Sequence, residues 1–428
     1  MDETLLLMNG SIINYDGSIN NNINILIKNG IIVYIGNETP IADKTYNCDG
    51  KYISPSFVNL HTHSPMNIFK GVADDVTIDS WFNDIIWPYE KKLTREDVYH
   101  GARVAAAEML SYGVSAYADH YFYPEEIIKA ALDLGIKIDM APTLFSIGEN
   151  PLADLDYTLE LNHKYMEYED VVITLGPHSP YTCTEEFLKT VGQYASENNL
   201  KIHIHVSETK EQVDASLKDK GITPMGVVHR SGLFNNKTII AHGLYTTEDD
   251  LRFLNDNVTF ALSPKTYLKL NMGFGSILSF KDNLRLSIGT DGAASSNTLN
   301  PLEQGRLLAL FGKHLLNDAT KFSLLEIWGY LMNGHNILEF NSGKVHEGYS
   351  ADLIIWNLNT PNTEVNTNVL SSIIYSSDSE NIDSTLISGR FIKKEGKLLI
   401  DVSDSITHCK NQINKLIIEG GAKSELRF

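Results

Sequence analysis

Two histidines stand one residue apart in the stretch FVNLHTHSP, residues 57–65, where an apolar run ends. If residues 57–63 form a β-strand, His61 and His63 point to the same side, because alternate side chains of a strand share a face. Two imidazoles that converge at a strand end could bind a metal ion, since imidazole is a common ligand of zinc, copper and iron. The alternative is a pair of polar residues at the point where a strand reaches the surface.

Eight apolar runs alternate with amphipathic stretches of ten or more residues through the middle of the chain. Several of the amphipathic stretches end at a glycine, as helices often do. Eight β/α alternations predict a closed (β/α)8 TIM barrel of parallel strands, whose carboxyl ends carry the active site. The predicted strands are FVNLHTH, VSAYADHYF, IKIDMAPTLF, VVITLGPH, LKIHIHVSE, KTIIAHG, VTFALSP and LRLSIGTD.

Polar side chains that can bind a metal or move a proton end most of these apolar strands. So many of them are hard to explain as solvent-facing strand tips, and their distribution favours a catalytic site. They are His61 and His63 on the first strand, Asp119 and His120 on the second, His178 on the fourth, His205 and Glu208 on the fifth, His242 on the sixth and Asp291 on the eighth.

A catalytic divalent metal needs a few nitrogen or oxygen ligands and one open position for water. The strand ends offer such a set in His61, His63, His205 and Asp291. Water bound to a metal loses its proton near neutral pH, but a base must take that proton and an acid must deliver one to the leaving group. Glu208 is placed to shuttle protons, Asp291 can bond the attacking water, and His242 can polarise the group under attack. Each histidine taken singly could instead be an ordinary core residue.

The two ends of the chain have a different pattern. Residues 1–53 contain short apolar runs separated by Asn-Gly and Asp-Gly dipeptides, which is typical of β-hairpins. The same pattern returns in the segments GYSADLIIWNL and STLISGRFIKKEGKLLI. We therefore expect residues 1–53 and 343–428 to form one small β-sandwich domain beside a barrel domain of residues 54–342.

Composition and charge exclude several classes of partner. The chain has 428 residues and a formal net charge of −19, with 54 acidic against 35 basic residues, which would repel nucleic acid and anionic membranes. No apolar run reaches membrane-spanning length. The three cysteines are too far apart in sequence for a disulfide framework, so we expect a protein of the reducing cytoplasm.

The ordered set of H-x-H, HVSE, AHG and GTDGAASSN resembles the amidohydrolase superfamily. More narrowly, the chain is similar to the branch that contains 5′-methylthioadenosine and S-adenosylhomocysteine deaminases, guanine-type deaminases and triazine chlorohydrolases. The likeness runs from GSIINYDG to GKVHEGYSADLIIWN, and it implies one divalent metal, zinc or sometimes iron, and a homodimer or higher homo-oligomer. The positions that match the family's metal ligands are His61, His63, His205 and Asp291, and those that match its proton-handling pair are Glu208 and His242.

The resemblance also implies substrate contacts. Glu90 in WPYE matches a carboxylate that bonds ribose hydroxyls in methylthioadenosine-type deaminases, although a surface glutamate at a helix start would look the same. His178 matches a residue that touches the substrate. Apolar residues that could line a pocket for a flat ring, or simply belong to the core, are Met66, Phe69, Trp81 and Trp87.

Two departures from the family bear on the substrate. Relatives that accept S-adenosylhomocysteine hold its carboxylate with arginines after strand three, but this chain has no arginine between Arg103 and Arg230, and Pro142 stands at such a position. The segment SPKTYLKL replaces the usual Asn-Pro-x-Ser-Asn, so Lys265 and Tyr267 replace smaller polar groups. Lys265 is either a solvated loop lysine or a contact to an anionic or carbonyl group of the substrate.

We therefore predict a metal-dependent aminohydrolase that uses water to release ammonia from a purine nucleoside, with adenosine or 5′-methylthioadenosine favoured over S-adenosylhomocysteine. An alternative keeps the same machinery and changes the ring to guanine, a pterin, a triazine or cytosine. A third alternative, a binding protein without catalysis, is disfavoured because every expected metal ligand is present.

Overall fold

The computed structural model describes residues 3–147, 150–365 and 367–420. Its strands fall into two groups, numbered here along the chain. The first group comes from the two ends of the chain and comprises β1 (Thr4–Ile13), β2 (Ile19–Lys28), β3 (Ile31–Gly36), β4 (Lys44–Asn47), β5 (Tyr52–Pro55), β15 (Leu353–Trp356), β16 (Ile382–Ile387), β17 (Arg390–Lys394) and β18 (Lys397–Leu398). The second comes from the middle and comprises β6 (Phe57–Thr62), β7 (Val114–Tyr121), β8 (Lys137–Leu144), β9 (Val171–Ile173), β10 (Gly176–Pro177), β11 (Ile202–Val206), β12 (Thr238–His242), β13 (Val258–Leu262) and β14 (Leu286–Ile288).

The first group forms a single nine-stranded sheet, in the order β18-β17-β16-β15-β5-β1-β2-β3 with β4 beside β1. The two chain ends meet where β5 pairs antiparallel with β15, with Tyr52 opposite Trp356. The turn between β2 and β3 is Asn29-Gly30, and both residues have positive φ, as a tight hairpin turn requires. The sheet buries its own apolar cluster, which includes Leu7, Ile25, Ile53 and Leu353. The prediction that both ends share one β unit is confirmed.

The second group forms a parallel barrel. Strands β6, β7 and β8 pair in sequence, and so do β11, β12, β13 and β14. The predicted strand VVITLGPH is broken into β9 and β10, and Leu175 between them makes the bridge to Ile202 of β11. The barrel closes where the backbone N–H groups of Thr290 and Asp291 donate to the carbonyl of His61 at 2.9 and 3.0 Å. The predicted TIM barrel is therefore confirmed, with its fourth strand interrupted.

Helices connect the barrel strands and cover the outside. Threonine side chains cap several of them, and Thr94 and Asp97 form a reciprocal capping box. The helices of seven or more residues are Arg95–Ser111, Pro124–Leu134, Pro151–Tyr165, Glu185–Asn198, Lys210–Lys220, Pro224–Arg230, Ile277–Asn283, Pro301–Leu315, Leu324–Asn333 and Ser403–Gly420. The shorter helical segments are Ser64–Phe69, Ile78–Ser80, Trp81–Ile86, Trp87–Glu90, Leu233–Asn235, Glu248–Phe253, Pro264–Lys269, Ala293–Ser296, His335–Leu338, Val369–Ser371, Ser372–Ser376 and Ser379–Asn381. Across the described ranges, no helix combines the length and the apolar character needed to cross a bilayer.

Candidate active site

A cavity of about 620 Å³ opens at the carboxyl ends of the barrel strands. This is the end at which parallel barrels carry their catalytic groups. His61 is fully buried beneath it, between the other histidines of the site. The predicted site residues that line the cavity are His63, Trp87, Glu90, His178, His205, Glu208, His242 and Asp291.

Three histidines converge at the base of this cavity. One ring nitrogen from each of His61, His63 and His205 lies within 4.8 Å of the others. Nδ1 of His63 lies 2.6 Å from the carbonyl oxygen of His120, and Nδ1 of His205 lies 2.9 Å from that of His178. Because a carbonyl oxygen only accepts, Nδ1 carries the proton in both rings and Nε2 keeps its lone pair. The two Nε2 atoms are 3.4 Å apart, so the lone pairs meet at one place.

His61 completes the group. Its Nδ1 lies 2.9 Å from Nε2 of His203, a buried residue two positions before His205 on β11. Its buried Nε2 has no hydrogen-bond partner among the residues that the structure describes. Burial, followed by the nearby ring of His63, lowers the pKa of His61 well below its ordinary value, and burial does the same for His205. Neutral imidazole is the form that binds metals, so this donor set fits a divalent metal such as zinc.

Asp291 lies beside the three histidines. Its Oδ1 is 3.5 Å from Nε2 of His63 and 3.8 Å from Nε2 of His61. The backbone N–H of Gly292 donates to Oδ1 at 2.7 Å, and the hydroxyl of Ser295 donates to Oδ2 at 3.1 Å. These bonds hold the carboxylate in place and leave lone pairs of Oδ1 directed toward the imidazoles.

Backbone strain marks three of the strand ends. Ser207, His242 and Asp291 have φ values of 51°, 71° and 59°, in the left-handed region that non-glycine residues rarely adopt. Each such residue costs on the order of 1–3 kcal/mol unless its surroundings hold it. The strain turns the chain sharply after β11, β12 and β14, and so directs Glu208, His242 and Asp291 into the cavity.

Glu208 and His242 form a pair at the wall of the cavity. Oε1 of Glu208 lies 3.6 Å from Nε2 of His242. Burial raises the pKa of Glu208, and the neighbouring His242 counteracts this effect. A buried carboxyl with a raised pKa, next to an imidazole, is the arrangement expected of a group that gains and loses protons during a reaction.

Tyr267 orients the imidazole of this pair. Its hydroxyl accepts the backbone N–H of Ser263 at 2.8 Å and lies 3.3 Å from Nδ1 of His242. The hydroxyl proton is therefore available to Nδ1, which places the ring proton of His242 on Nε2, facing Glu208. The sequence drew attention to Tyr267 only as a departure from the family pattern, and its contact to His242 is a new finding.

Two of the predicted substrate contacts are embedded in the wall. Glu90 is half-buried and accepts the hydroxyl of Tyr121 at 2.6 Å. Desolvation raises the pKa of Glu90, and the bond from Tyr121 opposes this rise. His178 stacks on Phe145 at a centroid distance of 5.0 Å, and its Nδ1 lies 3.0 Å from Oγ1 of Thr182. Burial lowers the pKa of His178 to about 3, so this ring is neutral.

The cavity walls are mainly aromatic. Met66, Trp81 and Trp87 line it, which is one of the two alternatives that the sequence left open, and Trp87 remains 39% exposed. Phe69 does not belong to this wall. It is fully buried and stacks on Tyr89 at 6.3 Å, because the helical segment that carries it turns that side chain toward the core.

Lys265 is the predicted contact that the geometry does not favour. Its Nζ donates to Oε1 of Glu303 and to Oγ1 of Thr298, both at 2.8 Å. Within the described ranges, Lys265 is not one of the residues that line the cavity. The ion pair to Glu303 holds the ammonium group of Lys265 outside the cavity lining.

Two further residues lacked an assigned role in the sequence-based site. His120 lines the cavity, with Nδ1 3.0 Å from Oγ1 of Thr143, and Tyr121 holds Glu90. Both residues follow Asp119 at the end of β7, so the pattern of polar residues at strand ends already pointed to this part of the chain. Asp119 itself accepts the backbone N–H of Ser64 at 3.1 Å and also its hydroxyl, so this carboxylate holds the start of the segment that follows β6.

Comparisons with known proteins agree with this geometry. The model of the family described as "Amidohydrolase family" matches residues 52–392. The chain is 35% identical to a 5-methylthioadenosine/S-adenosylhomocysteine deaminase of Dictyoglomus turgidum, over 90% of this chain and 92% of the relative. It is 33% identical to a 5'-deoxyadenosine deaminase of Methanosphaera stadtmanae, over 90% and 93%. A zinc-bound adenosine deaminase from Xanthomonas campestris has the same fold, with a TM-score of 0.93 at 24% identity, over 97% of this chain and 98% of that one.

Proposed function

The chain belongs to the amidohydrolase family, and we propose that it is a metal-dependent hydrolytic deaminase of adenosine-like nucleosides. The observation that carries the proposal is the convergence of the lone pairs of His61, His63 and His205 beside the pair of Glu208 and His242. The names of the similar proteins, which are deaminases of adenosine derivatives, support the same reaction. On the sequence grounds given above, we also propose a cytoplasmic homo-oligomer.

One divalent metal, proposed to be zinc with iron as the alternative, would be held by nitrogen and oxygen ligands. When bound, it supplies Lewis acidity that lowers the pKa of a water ligand to near neutrality, so that this water can attack the amino-bearing carbon of the purine ring. The residues that would hold it are His61, His63, His205 and Asp291.

The chain's own residues move the protons. Glu208 takes one proton from the attacking water and delivers it to the adjacent ring nitrogen as the oxygen adds to the amino-bearing carbon. The second proton of the water passes through Glu208 to the amino group, whose bond to the carbon breaks, so that ammonia leaves and a ring carbonyl forms in its place. His242, with its proton on Nε2, donates to the oxygen as negative charge develops there. Because water brings the oxygen and two hydrogens, nucleoside and water give the deaminated nucleoside and ammonia without any other reactant.

The cavity favours a nucleoside with a neutral 5′ group. Its aromatic walls suit a flat ring, and Glu90 provides a carboxylate that can accept both hydrogens of a ribose diol. Among the cavity-lining residues that the structure describes, Lys91 is a cation but there is no arginine. A bidentate clamp for the carboxylate of S-adenosylhomocysteine is therefore missing from this wall.

We expect an assay of ammonia release to give a kcat/KM for 5′-methylthioadenosine at least about 10-fold higher than that for S-adenosylhomocysteine. The reason is the lost carboxylate contact, since a hydrogen bond to a charged group contributes about 1.5–3 kcal/mol. Adenosine, free adenine, guanine, cytosine and pterins complete the panel of substrates.

Glu90→Gln should raise KM for the nucleosides and leave KM for free adenine unchanged. Exclusive turnover of bases without ribose would contradict the role of Glu90 and select the alternative ring.

Tyr267→Phe tests the orientation of His242. We expect kcat to fall about 10-fold with little change in KM, because one hydrogen bond contributes about 1–1.5 kcal/mol and Tyr267 is not among the described residues that line the cavity. The matched control is Tyr245→Phe. This variant also removes a hydrogen bond from a tyrosine hydroxyl, the one to the carbonyl of Met272 at 2.7 Å, but it does so outside the cavity. Equal losses of kcat in the two variants, or a change in KM alone, would argue against the orienting role.

A further inference from the structure

A second group of metal-binding side chains lies on the outside of the barrel, where two helices pack together. Glu96 and His100 stand on one face of helix Arg95–Ser111, four residues apart, and His408 comes from the C-terminal helix Ser403–Gly420. One donor atom from each of the three lies within 4.8 Å of the others. The rings of His100 and His408 are stacked, with centroids 4.3 Å apart and planes inclined by 25°. We call Glu96, His100 and His408 the helix-pair cluster.

Hydrogen bonds hold both imidazoles as they are held in metal sites. Nε2 of His408 lies 2.7 Å from Oδ1 of Asp97, and a carboxylate only accepts, so Nε2 carries the proton and Nδ1 keeps its lone pair. Nδ1 of His100 lies 2.9 Å from the hydroxyl of Ser405, which leaves Nε2 of that ring for a ligand. A histidine that donates its second N–H to a carboxylate is the usual partner arrangement around a protein-bound metal.

The carboxylate that orients His408 is itself fixed. Asp97 is buried and accepts the backbone N–H and the hydroxyl of Thr94 at 2.8 and 2.7 Å. The side-chain amide of Gln412, one turn beyond His408, donates to it at 3.0 Å. Glu96 is exposed and adds a second negative charge beside the rings. The cluster thus combines two hydrogen-bonded imidazoles with one exposed carboxylate, and the charged groups beside it are the carboxylates of Asp97 and Asp404 and the guanidinium of Arg103.

We propose that the helix-pair cluster binds a second divalent transition metal, of the zinc, cobalt, nickel and copper class, and that this metal fastens the C-terminal helix to the barrel. Two imidazoles and one carboxylate suit these ions, and the surface position leaves room for water as a further ligand. Binding is weaker than at the central histidines, because the exposed Glu96 must be ordered when the ion binds. The proposal is independent of the reaction at the cavity.

The test is equilibrium dialysis of the full-length holoprotein against micromolar cobalt(II), with the bound metal counted by elemental analysis. We expect the wild type to bind one equivalent more than His408→Gln and His100→Gln, while both variants keep the central metal and the deaminase activity. The control His346→Gln removes an exposed histidine far from the cluster in sequence and should keep the extra equivalent.

A third variant tests metal binding at the cluster without disturbing the fold. Glu96→Gln changes an exposed side chain, so the protein should unfold at the wild-type temperature, yet its extra equivalent should bind at least about 10-fold more weakly. Copper(II) bound as the extra equivalent should show nitrogen hyperfine coupling in its paramagnetic resonance spectrum. The proposal is overturned if the wild type binds no extra equivalent, or if the three cluster variants bind it as tightly as the wild type.

Discussion

The variant Glu208→Gln is expected to fold, to keep its central metal and to lose about 10²–10⁴-fold in kcat. Glutamine has nearly the shape of glutamate and can keep the packing of the buried side chain, but it cannot take a proton from water and pass it to the amino group. The loss should appear in kcat and in kcat/KM alike, because proton transfer is needed only in the transition state. Ammonia release measures the effect, and the temperature of unfolding checks the fold.

The matched control is Glu211→Gln, three residues further along on the exposed face of helix Lys210–Lys220, which should keep full activity. A pH profile adds a second criterion. Burial raises the pKa of Glu208 above its ordinary value of 4.5, and the reaction needs the carboxylate, so wild-type kcat/KM should fall with decreasing pH through a pKa above 4.5. The residual activity of Glu208→Gln should lack this acid limb. Retention of most activity by the variant would remove Glu208 from the mechanism.

The barrel and the convergence of its polar strand ends could be predicted from the sequence because both follow from local periodicity. Strand alternation directs His61 in β6 and His63, directly after it, to the same side, and parallel strands bring their carboxyl ends to one rim. His205 and Asp291 then meet them through barrel closure alone, although they lie far away along the chain. The β unit shared by the two chain ends could also be predicted from the sequence, since turn dipeptides mark its hairpins.

The features that escaped prediction depend on contacts between distant residues. The ammonium of Lys265 pairs with Glu303, and nothing near Lys265 in sequence indicates which way a long flexible side chain turns. Phe69 and Trp81 are both large and apolar, but the turn of each helical segment decides which one reaches the cavity. The hydroxyl of Tyr267, on the helical segment after β13, lies 3.3 Å from Nδ1 of His242 at the end of β12. Sequence patterns predict which elements form, whereas side-chain direction follows from packing.

His63→Asn is expected to remove one equivalent of metal and to lower kcat by at least about 10³-fold. Nε2 of His63 lies between two other donor atoms, 3.4 Å from Nε2 of His205 and 3.5 Å from Oδ1 of Asp291. The substitution therefore removes the central ligand of the set. Metal ions supply several kcal/mol to reactions of this kind, and each 1.36 kcal/mol corresponds to about a factor of 10 in rate. Elemental analysis and the ammonia assay measure the two effects on the same sample.

The control for this variant is His314→Gln, an exposed histidine on helix Pro301–Leu315, which should keep both metal and activity. A chelator offers the same test without a substitution: the wild type should lose activity on dialysis and recover it when zinc is returned. Metal removal should also leave buried imidazoles that are costly without a partner, so the stripped protein should unfold at a lower temperature. Full activity in the metal-free wild type would contradict the proposed metal chemistry. It would mean that the convergence of His61, His63 and His205 serves the fold and not the reaction.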